Sequence, residues 1–224
     1  MFDARAAYYF DLQASWAKDL LEGRDLVWEA IADLKAFILK LQSQLNPADY
    51  DILGPEDAAI YLHKSARVAP SCVLQGPTII GPGVELRPNV FIRATALIEA
   101  GASVGFSVEI KNALLLPGAT LAHFNYCGDS ILGGHAHLGA GAITSNLKSD
   151  HSLVTVQVGA EKVTTGLKKF GAIIGDYAEI GCNAVLNPGS MIGPQARVYP
   201  VSMFRGFLPA RHVFKQDGQA YPLT

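Results

Sequence analysis

One position in six is aliphatic over most of this chain, and that period restricts the fold more than any other feature. Every sixth residue from Val68 is Val68, Leu74, Ile80, Leu86, Ile92, Ile98, Val104 and Ile110. Four places after each aliphatic there is usually a small or β-branched residue: Cys72, Thr78, Val84, Val90, Ala96, Ala102 and Val108. Glycine often follows the aliphatic, as in Ile80-Gly81 and Val104-Gly105, where a tight corner favours a residue without Cβ. The register slips by one at Leu115 and Leu121 and is expected to recover at Leu132 and Leu138. It then runs without error through Ile174, Ile180, Leu186, Ile192 and Val198, with Ala178, Ala184, Ser190 and Ala196 in the small position. A period of six fits neither an amphipathic helix nor an alternating strand. It fits a three-sided prism in which each face carries one hexapeptide and each coil of three hexapeptides buries its aliphatics against the next. The fold expected is an all-β left-handed parallel β-helix.

Two segments depart from the period. Near the N-terminus Val27, Ile31, Leu34, Ile38 and Leu41 fall at helical spacing, with Asp25 as the expected N-cap and Asn46-Pro47 as the stop. An earlier helix through Leu12, Trp16 and Leu20 is expected to end near Gly23. The expected organisation is a helical extension and linker at 1–57, the β-helix at 58–203 with an inserted loop at 145–170, and a C-terminal tail at 204–224. Inside the insertion Val154, Val156 and Val158 alternate, and Gly159-Ala160-Glu161 is suited to turn a hairpin back through Val163. Long excursions from a solenoid tend to carry function, so this one is a candidate wall of a site. The helices are read as either a cap on the end of the solenoid core or an arm that docks a partner.

Composition narrows the function classes. An apolar fraction of 50% with 17% charged residues is that of a globular protein, and a net charge of −2 gives no basic field for nucleic acid. No apolar run approaches the roughly 18 residues of a membrane span. The start, Met1-Phe2-Asp3-Ala4-Arg5, lacks the layout of a signal peptide, so a cytoplasmic protein with no membrane partner is expected. Cys72, Cys127 and Cys182 are an odd number without paired metal spacing, and are read as small buried or half-buried residues.

The coil length itself places chemistry. Arg93 and Lys111 follow inward aliphatics one coil apart, so they are expected to stack on neighbouring rungs about 4.8 Å apart. Two cations that close repel unless an anion bridges them, which suggests a phosphate clamp. The repeat then breaks at Ala122-His123-Phe124-Asn125-Tyr126-Cys127-Gly128-Asp129, where polar and aromatic residues replace the aliphatic step. His123, at that break and beyond the Arg93/Lys111 column, is the candidate catalytic histidine. His135 and His137 with His123 raise a metal hypothesis, but their phase points them outward, so ligands would converge only across a subunit interface. There is no P-loop or dinucleotide fingerprint.

From about Ile92 to Val198 the chain resembles the C-terminal acetyltransferase domain of bifunctional sugar-1-phosphate uridylyltransferase/glucosamine-1-phosphate acetyltransferases, especially the archaeal type. Four segments carry the resemblance: 108–112 (VEIKN), 123–129 (HFNYCGD), 139–146 (GAGAITSN) and 168–176 (KKFGAIIGD). It implies an acyltransferase in which acetyl-CoA, as co-substrate, acetylates an amino-sugar phosphate in nucleotide-sugar biosynthesis. His123 would be the general base, Arg93 and Lys111 would bind the substrate's phosphate and sugar, and Tyr126 and Asn146 would hold the sugar. The family works as a homotrimer with acetyl-CoA along the outside of the coils, near Cys182 and Tyr199. Where bacterial members carry a lysine before the final coils this chain has Gly171, leaving Lys168 or Lys169 as substitutes. The nucleotidylyltransferase domain is absent from the sequence, so uridylyl transfer is not expected. Two other functions fit a trimeric β-helix: a zinc-dependent hydratase of the carbonic anhydrase type, and a non-catalytic scaffold docked through the N-terminal helices.

Overall fold

The computed structural model describes residues 2–223. From Ile60 onward the chain winds as a left-handed parallel β-helix with strands on three faces. The first face runs from Ile60–His63 through Thr78–Ile80 and Ala96–Ile98 to Phe207–Leu208. The second runs from Arg67–Val68 to His212–Phe214, and the third from Val73–Leu74 to Met203–Phe204. Inward aliphatics sit directly over one another, as Ile92 over Ile110 and Ile110 over Cys127. With Val84, Ala102, Ala136 and Ala184 they form a single dry column of side chains. Burying an aliphatic of this size is worth about 1.5–3 kcal/mol, so the column is what holds coil to coil.

The register behaves differently from the expectation at one point. Paired residues are eighteen apart from Ile80 to Ile98, but seventeen apart from Ile98 to Leu115 and again from Leu115 to Leu132. Leu132 is therefore a second loss of one residue, not a return to the original phase. Both losses fall at the corner between the third face and the first. There Glu109–Leu115 and Tyr126–Leu132 run without a break, and Asn112 and Asp129 turn the chain at φ 48° and 46°. Asparagine and aspartate tolerate that left-handed conformation better than most residues.

The coil also continues past 203. Phe207–Leu208 pairs with Ser190–Ile192, and His212–Phe214 with Arg197–Val198, before Ala220–Pro222 folds back antiparallel. Phe204 and Leu208 extend the inward column and Phe214 packs against it, so the last coils keep a reason to stack.

The N-terminal segment forms three helices, Ala6–Tyr9 (α1), Lys18–Leu21 (α2) and Glu29–Gln42 (α3). Trp28, not Asp25, stands at the N-cap of α3, and no side chain caps it. The expected helix through Leu12 and Trp16 shrinks to the single turn of α2. The cause is Glu99, whose carboxylate accepts from the Ser15 hydroxyl at 2.7 Å and from the N–H groups of Trp16 and Ala17 at 3.0 and 3.2 Å. Those groups are spent on the β-helix instead of on a helical turn. Asp176 holds the same segment by accepting from the N–H of Asp11 at 2.6 Å, while Gly134 donates to its other oxygen at 2.7 Å.

This segment does not cap the solenoid end, which corrects that expectation. It lies along the first face, where Tyr9, Trp28, Leu34 and Ile38 pack against the outward residues Ile79, Leu97, Leu114, Ile131, Ile173 and Met191. An outward apolar column needs a cover, and the chain supplies its own. The insertion joins the same core. Its hairpin, Thr155–Val158 against Glu161–Thr164, forms as expected, while Val154, Val156 and Phe170 are buried with Trp28. The Trp28 and Phe170 rings lie 6.2 Å apart.

No helix among the described residues is long and apolar enough to cross a membrane. Of the cysteines, Cys127 fills an inward position and burial pushes its thiol up to about 12, and Cys72 is half-buried. Cys182 is exposed, contrary to expectation, because it falls on a corner after the inward Ile180.

Candidate functional site

Two edges of the third face carry the candidate residues. At the corner where the third face meets the first, a polar cluster surrounds Asp129, which is 3% exposed. The Lys111 ammonium donates to both of its carboxylate oxygens, at 3.0 and 2.9 Å. The Asn112 side-chain amide donates to Oδ1 at 2.8 Å, and the Asn146 amide donates to Oδ2 and to the Tyr126 hydroxyl at 3.1 Å. One coil above, Arg93 donates to Glu109 at 2.8 Å. Burial and the neighbouring Asp129 carboxylate hold the Tyr126 phenol above its ordinary range.

The cluster brings together three residues singled out in the sequence, Lys111, Tyr126 and Asn146, and adds Asp129, Asn112 and Glu109. Asp129 was legible only as part of the repeat break and of the 123–129 segment, with no role of its own. Its signal is a carboxylate set in the otherwise buried run Cys127-Gly128-Asp129-Ser130. Arg93 and Lys111 do stack on neighbouring rungs, and each has its own carboxylate to offset the repulsion. Removing one partner of a pair as buried as Lys111 and Asp129 would cost about 3–5 kcal/mol.

Glycine makes the cluster possible at two points. A Cβ on Gly128 would lie 2.4 Å from the Tyr126 hydroxyl, so glycine lets that ring fold across the strand towards Asn146. A Cβ on Gly171 would lie 2.3 Å from both the Gly128 carbonyl and the Ser130 hydroxyl. No lysine fits at 171 in this chain. Lys168 and Lys169 stand exposed just before it, at the end of the insertion.

The other edge, where the second face meets the third, holds His123 at the end of Thr120–His123. It is exposed, and its ring makes no hydrogen bond among the described residues. Phe124 follows at φ 54°, 63% exposed, with its ring edge-on to Phe106 at 5.4 Å. Asn125 then turns inward and donates to the carbonyls of Gly139 at 2.7 Å and Ala142 at 3.0 Å, fixing this corner to the next coil. Cys182 and Tyr199 follow inward residues at the same edge on lower coils, both exposed.

His123 and the Asp129 cluster are therefore not adjacent in one chain. The run from Asn125 to Asp129 between them spans roughly 13 Å at strand rise. His135 stacks on Tyr177 at 5.1 Å, and His137 pairs through Nδ1 with the Thr120 hydroxyl at 2.7 Å, so the three histidines are dispersed. No group of three His, Cys, Asp or Glu among the described residues is arranged to hold a metal ion.

No family model matches the chain. It is 31% identical over 169 residues to an uncharacterised acetyltransferase, YaiX, of Escherichia coli O6:K15:H31, covering 75% of this chain and 74% of that protein. It is 34% identical over 113 residues to the bifunctional sugar-1-phosphate nucleotidylyltransferase/acetyltransferase of Sulfurisphaera tokodaii. That match covers 50% of this chain but only 28% of the archaeal protein's length. Among solved structures, the acetyltransferase domain of PglB from Neisseria gonorrhoeae, in complex with acetyl coenzyme A, aligns with 73% of this chain and 57% of that one, at TM-score 0.37 and 15% identity. By its match to YaiX over three quarters of both chains, this protein belongs to the acetyltransferases built on the left-handed β-helix.

Proposed function

We propose that the protein is an acetyl-CoA-dependent N-acetyltransferase acting on an amino-sugar phosphate, with the two edges of the third face serving as acceptor and donor sides of one shared site. The observation that carries the reading is the Asp129 cluster, which holds Lys111, Tyr126 and Asn146 in a fixed polar array suited to sugar hydroxyls. The bifunctional relative named above supports the substrate class. Because Arg93 and Lys111 already face carboxylates, they act as donors to sugar oxygens.

On the donor edge, acetyl-CoA lies along the coils past Cys182 and Tyr199, with its thioester at His123. A neutral imidazole suits proton acceptance near pH 7. His123 takes the proton of the attacking amine as the new C–N bond forms at the acetyl carbonyl. The tetrahedral adduct then collapses, the C–S bond breaks with its electron pair leaving on sulfur, and the imidazolium protonates the departing thiolate. Fixing amine and thioester together removes much of the entropic barrier.

The roughly 13 Å between edges means that His123 and the acceptor cluster meet across two copies of the chain. The third face is suited to that contact. Its outward column includes Val73, Ile143 and Met203, at 56%, 37% and 72% exposure, with the Phe106/Phe124 pair at its rim. A homotrimer, as in the family it resembles, closes such sites between neighbouring chains around a three-fold axis.

The test is thiol release from acetyl-CoA with glucosamine 1-phosphate, galactosamine 1-phosphate and nucleotide-linked amino sugars. His123→Ala should melt like the parent and turn over about 10²–10⁴-fold more slowly. Equal rates for parent and variant, or no thiol release with any of these acceptors, would contradict the assignment.

A further inference from the structure

A second cationic site lies on the acceptor edge, below the Asp129 cluster. The insertion leaves the coil at Ser145 and Asn146, and its hairpin returns to press on the last coils. Gly189 and Gly206 record how closely: a Cβ on either would lie 2.6 Å from the Thr155 carbonyl or 2.5 Å from the Gln157 carbonyl. Between the start of the insertion and the coil is a cavity of about 340 Å³ lined by Ser145, Lys148, Asp150, Asn187 and Arg205, and between hairpin and coil is a smaller one of about 50 Å³ that shares Lys148 and Arg205 and adds Lys162.

The charges here do not balance. The Lys148 ammonium donates to the Ser152 hydroxyl at 2.6 Å and stands 4.0 Å from Asp150. Lys162 and Arg205 have no ion-pair partner among the described residues, in contrast to Arg93 and Lys111 above them. Three cations against one carboxylate, around two cavities that share Lys148 and Arg205, make a site for an anion.

Position then selects the anion. Thr144, Leu186 and Phe204 stack on successive rungs, so Arg205 lies two rungs below Ser145, roughly 10 Å. A hexose held by Tyr126 and Asn146 with its anomeric oxygen pointing down the edge would bring phosphate, and a second phosphate beyond it, to Arg205, Lys148 and Lys162. We infer that this pocket binds the diphosphate of a nucleotide-linked amino sugar, so that the acceptor is a nucleoside diphosphate sugar rather than a sugar monophosphate. The substrate assignment rests on the acetyltransferase reading above, whereas the anion site stands on the pocket alone.

Titration calorimetry with inorganic pyrophosphate separates the two. The parent should bind pyrophosphate with an affinity that falls as salt rises, and the double variant Lys162→Ala/Arg205→Ala should bind it at least tenfold more weakly while melting like the parent. Lys35→Ala, an exposed cation on α3 away from the pocket, should leave pyrophosphate binding unchanged. Absence of binding in the parent, or equal binding in the double variant, would overturn the site. Competition identifies the source of the phosphates. Displacement by uridine 5′-diphosphate supports the acceptor assignment, and displacement by coenzyme A alone would overturn it. If pyrophosphate binds as described but no acetyl transfer occurs with any acceptor, the acetyltransferase reading fails and the pocket remains.

Discussion

The first and third faces of this solenoid have the same inward columns and opposite outward ones. On the first face the residue before each inward aliphatic is itself large and apolar, as in Ile79-Ile80, Leu97-Ile98, Leu114-Leu115 and Ile173-Ile174, and the chain covers that column with its own helices. On the third face polar Glu109 and Tyr126 sit between apolar outward residues such as Val73 above and Ile143 and Met203 below, and nothing among the described residues covers Val73, Ile143 or Met203. The period of six thus specifies the prism, while the residue beside each inward aliphatic decides what each face meets. A face meant for its own chain can be wholly apolar. A face proposed to meet a substrate and a second copy has to keep polar groups held in place.

Substitutions of the same kind on the two faces should separate these roles most sharply. Leu114→Asp places an unpaired carboxylate beneath the helical cover and should prevent folding, a loss of more than about 4 kcal/mol. Ile143→Asp should leave the far-ultraviolet circular dichroism and the melting curve of the isolated chain intact while converting an oligomer to a monomer in light scattering. A folded Leu114→Asp protein would mean that the cover is dispensable, and an Ile143→Asp protein that stays oligomeric would place the contact elsewhere.

That contrast also marks how far the sequence could be read. The β-helix and the hairpin in the insertion were legible because both follow from periods, six in the one and two in the other. The course of the N-terminal segment was not. Its helical spacing showed an apolar face without showing what the face meets, and the clue lay far along the chain in pairs such as Leu114-Leu115. The truncated helix before Gly23 was equally hidden, since its backbone donors are consumed by Glu99 across 83 and 82 residues of sequence. Among the candidate residues, Lys111 was singled out by the coil length, which stacks it under Arg93, and Tyr126 and Asn146 by the family resemblance. Asp129, which orders all three, looked in sequence like one more polar residue of the break.

The latch between cover and coil should be pH-dependent. Burial pushes the Glu99 carboxyl to about 7, against the hydrogen bonds from Ser15, Trp16 and Ala17. Because this exceeds its unfolded value of 4.5, the folded protein retains a proton that the unfolded chain releases. The contribution is full below pH 4.5 and is lost as pH rises through about 7, at most about 3 kcal/mol. Burial shifts Asp176 in the same direction. Melting temperatures of Glu99→Gln should accordingly vary less between pH 5 and 8 than those of the parent. Parallel curves for the two proteins would show that Glu99 does not titrate in this range.

A smaller effect is expected at Gly171, where the backbone of the insertion meets the acceptor edge. Gly171→Ala pushes a methyl into the Gly128 carbonyl and should cost about 1–3 kcal/mol in a denaturant melt. Gly83, which has open space around its missing Cβ but a φ of 66°, gives a control in which only backbone strain is felt.

The central claim is that the third face forms one catalytic site from two chains, with His123 on one and the Asp129 cluster on the other. His123→Ala and Asn146→Ala each remove one side and should each be nearly inactive as pure proteins. Co-expressed in equal amounts and purified together, with no separation of mixed from uniform oligomers, they pair an intact His123 edge with an intact Asn146 edge in about a quarter of the interfaces. The account predicts thiol release from the mixture at about that fraction of the parent rate. A mixture no more active than its two inactive components would show that both edges must belong to the same chain, and would contradict the account.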